Sequence, residues 1–237
     1  MTKQELLKRT FQFKESNCTI ISDTEQGIKI AKSSIKRNYA ILENYIKDHP
    51  KFLYSLKPII VKNGPKVIRF MVEASSKTDV GPMAAVAGVI ADLAVMDMVN
   101  NGCKVAVVED GGEISAYSNQ SIDIAFLAGN ESLSKKMGFR LSQFPIGVAT
   151  SSGRFSHAFS FGEAEAVTVF AINAGLADAA ATAIANMIKG ENVREIIQQG
   201  IDKGLSIDGI KGIFILYRDV VGKGGQIADL IKINPKE

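Results

Sequence analysis

The chain has 237 residues, a formal net charge of +3 and 22% charged side chains, an ordinary globular composition with length enough for a real core. Lys and Arg are scattered rather than gathered in one run, which argues against a nucleic-acid partner. The charged, helix-prone start (Met1–Thr10) lacks a signal-peptide pattern, the longest apolar run (Val86–Val99) is broken by Asp92 and Asp97, and Cys18 and Cys103 have no CxxC spacing; the expectation is a cytoplasmic protein with no membrane segment and no metal or redox cysteine motif.

In chain order, Phe11–Lys14 and Cys18–Ile21 read as short strands around Glu15-Ser16-Asn17. Ser22-Asp23-Thr24-Glu25 has capping-box spacing and opens a helix with apolar residues from Ile28 to Ile46, ending at His49-Pro50. The other face of that helix is lysine-rich, and a solvated face is the simpler reading than an acidic partner. Pro58–Lys62 and Lys66–Ser75 read as a strand pair around Asn63-Gly64-Pro65. Pro82 suits the first turn of a second helix, Met83–Val99, which stops at Asn100-Asn101-Gly102. Gly88 inside it costs about 1 kcal/mol against alanine, a cost that close approach by another backbone or a ligand would justify.

Lys104–Val108, Ile114–Ser118 and Ile122–Leu127 read as an antiparallel meander, and Glu131–Gly138 as a short helix or loop. Gly147–Thr150 and Ala166–Ala171 read as strands, followed by an Ala-rich helix from Asn173 to Lys189 and a polar one from Asn192 to Lys203. Ile213–Tyr217 and Ile227–Ile233 complete the pattern as terminal strands around a Gly222-Lys223-Gly224-Gly225 turn. Hairpins interspersed with helices, with no solenoid repeat, argue α+β in a single domain over 1–237, or two intimately packed halves.

Several positions carry candidate chemistry. Asp178 and Thr182 are four residues apart, so they share one face of the Ala-rich helix. Carboxylate and hydroxyl oxygens suit Mg²⁺, which keeps waters and completes its shell with phosphates; the plain alternative is hydrogen bonding within the fold. Thr150-Ser151-Ser152-Gly153-Arg154 follows a strand and could cradle phosphate with main-chain N–H groups, hydroxyls and a guanidinium, or be a simple turn. His157 could orient a ligand or move protons, although no acid is placed beside it. In Glu109-Asp110-Gly111-Gly112-Glu113 the Asp-Gly pair signals a hairpin, and the double glycine could let a ligand lie against bare backbone. Asp92 falls one turn after Gly88, on the same face.

The order of these elements resembles the ApbE superfamily, the FAD:protein FMN transferases, and is most similar to its uncharacterised short cytoplasmic branch in archaea and bacteria. The resemblance rests on Gly81-Pro82-Met83-Ala84-Ala85-Val86-Ala87-Gly88 with Asp92, Glu109-Asp110-Gly111-Gly112-Glu113, Ala149-Thr150-Ser151-Ser152-Gly153 with His157, and Ala177-Asp178-Ala179-Ala180-Ala181-Thr182. It implies an ApbE-like layered fold with mixed or antiparallel sheets and packed small-residue helices. It also implies that Asp178 and Thr182 match the A-D-x-x-x-T metal motif, Gly111, Gly112 and Glu113 the Gly-Gly-Asp element, and Thr150, Ser151 and Gly153 the Thr-Ser-Gly turn. His157 resembles the His before the family's Asp-Pro-x-Thr-Gly signature, but Ala158-Phe159-Ser160-Phe161-Gly162 follows it here, and Ala87 stands where the family has Lys.

The implied cofactors are Mg²⁺ and FAD or FMN, bound among Gly88, Asp92, Gly111, Gly112, Glu113, Thr150, Ser151, Ser152, Gly153 and Arg154. The implied partners are a nucleotide ligand and an acceptor protein, with no nucleic acid and no membrane; a homo-oligomer is compatible with the sequence. FMN transfer or FAD pyrophosphate cleavage is the implied chemistry. The alternatives are a non-catalytic ligand-binding or sensor module and an interaction protein on the same fold.

Overall fold

In the structure, a computed structural model, the described residues are 6–14, 16–125, 137–152 and 162–232. The strands are β1 (Leu7–Phe13), β2 (Ser16–Ser22), β3 (Val105–Asp110), β4 (Glu113–Ser118), β5 (Ile122–Ala125), β6 (Met137–Leu141), β7 (Ile146–Ser151), β8 (Ala166–Ala171), β9 (Ile210–Tyr217), β10 (Val220–Gly225) and β11 (Asp229–Lys232). Eight of them form one antiparallel sheet in the order β1-β2-β3-β4-β7-β8-β9-β10, and β11-β6-β5 form a second, smaller sheet. The helices are α1 (Glu25–Asp48), α2 (Lys51–Tyr54), α3 (Lys66–Thr78), α4 (Val86–Asn100), α5 (Ala174–Ala185) and α6 (Val193–Leu205), with a 3₁₀ turn over Pro82–Ala85.

Strand alternation sorts the core into layers. Ala106 and Val108 of β3 and Val167 and Val169 of β8 face the helices. Val105 and Val107, with Ala166 and Phe170, face the opposite way, onto Phe139 and Leu141 of the small sheet. Phe139 meets Phe170 edge-on at 5.0 Å between ring centres, a preferred aromatic geometry. The result is the expected α+β layering, with helices on one face of the large sheet and the small sheet on the other.

Several local expectations change. The first strand begins at Leu7, within the stretch expected to be helix-prone. Thr24, not Ser22, caps α1, its hydroxyl accepting from the Gly27 N–H at 3.0 Å. Lys66–Thr78 is a helix, not a strand: Val67, Ile68, Met71, Ala74, Ser75 and Thr78 are buried at helical spacing, and Pro58–Lys62 forms no strand. β5 pairs with β6 rather than extending a meander from β4, while residues 126–136 lie outside the described residues. The α5 helix ends at Ala185 rather than Lys189. Gly222–Gly225 belong to β10; the turn is made by Arg218 and Asp219, both left-handed at φ +49° and +62°.

The 3₁₀ turn and α4 together make a 19-residue helical stretch, Pro82–Asn100, which is long and apolar enough to cross a membrane by length and composition. It packs against α1, α5, β3 and β4, and most of it is buried in the protein, so it serves as a central core helix. Asp97, which interrupts its apolar pattern, accepts from Arg37 and Ser34, each at 2.5 Å.

Candidate functional site

The site is built where α4 and α5 cross. A Cβ at Gly88 would sit 2.3 Å from the Ala174 carbonyl oxygen, so glycine here permits backbone contact between the two helices. The Gly88 N–H, in the first turn of α4, donates to Asp178 Oδ2 at 3.1 Å. The reciprocal contact uses Asp92, which accepts from the Ala174 and Gly175 N–H groups at 2.9 and 2.8 Å and from the Ser115 hydroxyl at 2.7 Å. Two helices thus exchange carboxylates at their N-terminal turns. Asn173 completes the second turn as N-cap, accepting from Leu176 N–H at 2.8 Å.

The sheet brings further acids to the same place. Cys18 pairs across strands with Asp110, and Asp110 with Glu113. Alternation turns Cys18 and Asp110 to the helix face with Ile20, Ala106 and Val108, and Glu113 to that face with Ser115. Asp110 and Glu113 are therefore like charges directly opposite each other, an unfavourable arrangement. Between them, Gly111 and Gly112 make the hairpin turn at φ +69° and +115°, in the positive-φ region that favours glycine. Among the described residues nothing lies within 4 Å of a Cβ built at Gly112, whose N–H donates to Glu109 Oε1 at 3.0 Å.

Charge and burial act together. Burial raises the Asp178 carboxyl to about 8; the Gly88 N–H opposes the rise, while Asp110 and Asp92 add to it. Glu113 is raised well above its ordinary value by burial first, then by Asp178 and Asp110. Asp92 is raised to about 6 by burial, limited by its Ser115, Gly175 and Ala174 donors. Asp110 is raised by burial and held down by hydrogen bonds from Tyr39, Ser16 and Cys18, with Tyr39 Oη donating at 3.1 Å. Burial pushes both the Tyr39 phenol and the Cys18 thiol upward, with Asp110 adding to each.

The expected residues do not all converge. Asp178, Glu113 and the Gly111–Gly112 turn share one region, with Asp178 and Thr182 both half-buried and one turn apart on α5. Asp92 lies deeper, its carboxylate occupied by protein donors. Thr150 alternates onto the other face, where its hydroxyl meets that of Thr168 at 2.9 Å. Ser151 ends β7 and Ser152 follows it, while Gly153, Arg154 and His157 lie outside the described residues. A cavity of about 280 Å³ opens beside Asp92 and Ser115, between Val89, Val95, Ile146 and Leu176; Asp178, Glu113 and Thr182 do not line it. The contribution of Ser16, Cys18, Tyr39 and Ser115 went unread in the sequence. The cross-strand register between β2 and β3, which pairs Cys18 with Asp110, could have revealed Cys18.

Among the described residues no three His, Cys, Asp or Glu side chains are gathered as a metal-binding set. A cation at Asp178 would draw on oxygen donors of mixed kind: the carboxylates of Asp178 and Glu113, the Thr182 hydroxyl and the ligand's own phosphates. These two carboxyls fit such an ion: burial first, and then neighbouring negative charge, disfavours their ionised forms, and a cation's charge would offset both.

The comparisons agree with the topology. A family model described as AbpE bacteria matches residues 1–203. The UPF0280 protein of Methanococcus maripaludis strain C7 is 40% identical, covering 98% of this chain and 96% of that protein. That of Methanocaldococcus jannaschii is 38% identical, covering 97% and 95%. Among solved structures, a mutant flavin transferase ApbE from Vibrio cholerae superposes with a TM-score of 0.60 at 13% identity, over 93% of this chain and 97% of that one. The apo flavinyl transferase ApbE of Pseudomonas stutzeri gives 0.58 at 15% identity, over 93% and 94%. At such identities the structural likeness speaks to fold alone. With the family model spanning most of the chain and relatives matching nearly end to end, the chain belongs to the AbpE bacteria family and shares the fold of the ApbE flavin transferases.

Proposed function

We propose that this chain, as one ApbE-like domain, binds a flavin or another phosphate-bearing nucleotide at the α4–α5 crossing, with a divalent cation held by Asp178 and Thr182 and supported by Glu113. The observation that carries this reading is that two carboxyls pushed upward by burial, Asp178 and Glu113, share one region with the Gly111–Gly112 turn. A fold gains nothing in stability from such a pair, whereas a cation site needs it. The structural likeness to flavin transferases makes FAD the first ligand to test. Bound there, Mg²⁺ would neutralise charge developing on pyrophosphate oxygens, the chemistry of phosphate cleavage or FMN transfer to an acceptor protein. The Gly111–Gly112 turn would let phosphate or ring atoms approach main chain, and the Gly88 N–H fixes the Asp178 carboxylate in place.

A second reading, binding without turnover, is favoured by the absence of the Asp-Pro-x-Thr-Gly signature after His157 and by Ala87 in place of the family's Lys. Flavin fluorescence titrations with FAD and FMN, in Mg²⁺ and in EDTA, test both. Mg²⁺-dependent FAD binding that weakens about a hundredfold in Asp178→Ala is expected, this being the range in which loss of a metal-shell group falls. Conversion of bound FAD to FMN distinguishes catalysis from simple binding. Absence of binding under every condition would refute the flavin assignment.

A further inference from the structure

The stretch from the end of α1 to the start of α3 places its large apolar side chains outward. Tyr54 is 74% exposed, Leu56 67% and Ile60 91%, with Leu53 beside them at 38%. This is not a misplaced core segment. Phe52, Ile59 and Val61 of the same stretch turn inward against the core, so Tyr54, Leu56 and Ile60 are what remains on the outside. The chain is also well anchored: Gly81 lies against the Ser55 carbonyl with no room for a Cβ, and Lys57 Nζ reaches Asp79 at 3.0 Å. Exposed large apolar side chains gathered in one short, anchored stretch mark a place of contact.

Charge identifies the kind of contact. Lys47, Lys51, Lys57, Lys62, Lys66 and Arg69 are all exposed along this stretch, against Asp48 within it and Asp79, which pairs with Lys57, so positive charge remains in excess. A second copy of the chain would bring like charge onto like charge, which disfavours a symmetric dimer through this face. The apolar groups project as separate side chains between cations, the pattern by which a protein inserts into an interface and meets acidic headgroups. We infer that the Leu53–Ile60 ridge, flanked by its lysines, docks this protein peripherally on an anionic lipid bilayer. The expectation of no membrane partner rested on spanning segments, and surface docking requires none. The ridge adjoins the 3₁₀ turn that leads into α4, so docking would orient the α4–α5 crossing relative to the bilayer. The inference stands on its own observations and does not depend on the flavin assignment.

Co-sedimentation of the full chain with phosphatidylcholine vesicles, with and without about one-third phosphatidylglycerol, tests it. Wild type is expected to pellet with the anionic vesicles and remain in solution with the neutral ones. The double substitutions Tyr54→Ser with Ile60→Ser, and Lys51→Glu with Lys62→Glu, are each expected to weaken binding about tenfold or more. All four positions are exposed, so thermal melts should coincide with wild type and separate lost docking from lost folding. Failure of wild type to pellet, or equal pelleting with neutral vesicles, would overturn the inference. So would full binding by the Tyr54/Ile60 variant, because a contact made by charge alone points instead to an acidic protein.

Discussion

Asp178 couples the candidate site to stability. Its carboxyl titrates near 8 in the folded chain against an ordinary value of 3.8, so between those values the native state holds a proton that the unfolded state has lost. The stabilising contribution is therefore complete below about pH 4 and disappears as pH rises through about 8. Glu113 acts in the same direction, and Asp92 does so over the narrower range up to about 6. Asp178→Asn keeps an oxygen for the Gly88 N–H and removes the charge. In EDTA the variant should melt about 4 °C above wild type at pH 8, corresponding to roughly 1–2 kcal/mol, and match it near pH 4. Adding Mg²⁺ should raise the wild-type midpoint at pH 8 and leave the variant unchanged. Parallel pH profiles for the two proteins would show that Asp178 is not the group responsible.

At the scale of the element, α5 depends on a carboxylate supplied by another helix. Its first N–H groups, on Ala174 and Gly175, are buried and satisfied by Asp92 rather than by their own N-cap, Asn173, which serves Leu176. Asp92→Ala would leave both donors and the Ser115 hydroxyl without an acceptor, at a cost of about 2–4 kcal/mol. Urea denaturation should show this as a lower midpoint at unchanged slope. A loss under 1 kcal/mol would mean that water replaces the carboxylate and that this contact does not hold the crossing. Such an exchange between helices can be read only partly from sequence. Asn173 before an apolar run, the Asp178–Thr182 spacing and the Asp110-Gly111-Gly112 hairpin are local, and periodicity or turn chemistry reveals them. The α5 donors to Asp92 lie more than 80 residues away, and the Cys18–Asp110 step of the row depends on a register between strands similarly distant in sequence. The misreading of α3 has a local cause: Val67, Ile68 and Val72 favour strands intrinsically, while burial of Val67, Met71, Ala74 and Thr78 along one face selects the helix.

Across the whole molecule the large sheet divides into two similar halves. In the first, the β1–β2 hairpin, helices α1 to α4 and the β3–β4 hairpin follow one another; in the second, β7–β8, α5–α6 and β9–β10 repeat that order. The halves join through β4 and β7, and the candidate site lies along this seam, with Gly88 and Glu113 from the first half and Asp178 and Thr182 from the second. The seam ladder is short, running only from Ile114–Val148 to Ala116–Ile146, whereas β8 and β9 pair from Ala166–Leu216 to Ala171–Ile210. Backbone contact at Gly88 and the exchanged carboxylates add to the apolar packing that joins the halves, and the repelling acids oppose it. Native-state hydrogen exchange should find amides donated across β4–β7 opening at lower free energy than those across β8–β9. A cation with its nucleotide, gripping both halves, should protect the seam selectively because ligand binding stabilises only the closed arrangement. Equal protection of both ladders would show that the seam opens only with global unfolding, and that the two halves behave as one cooperative unit.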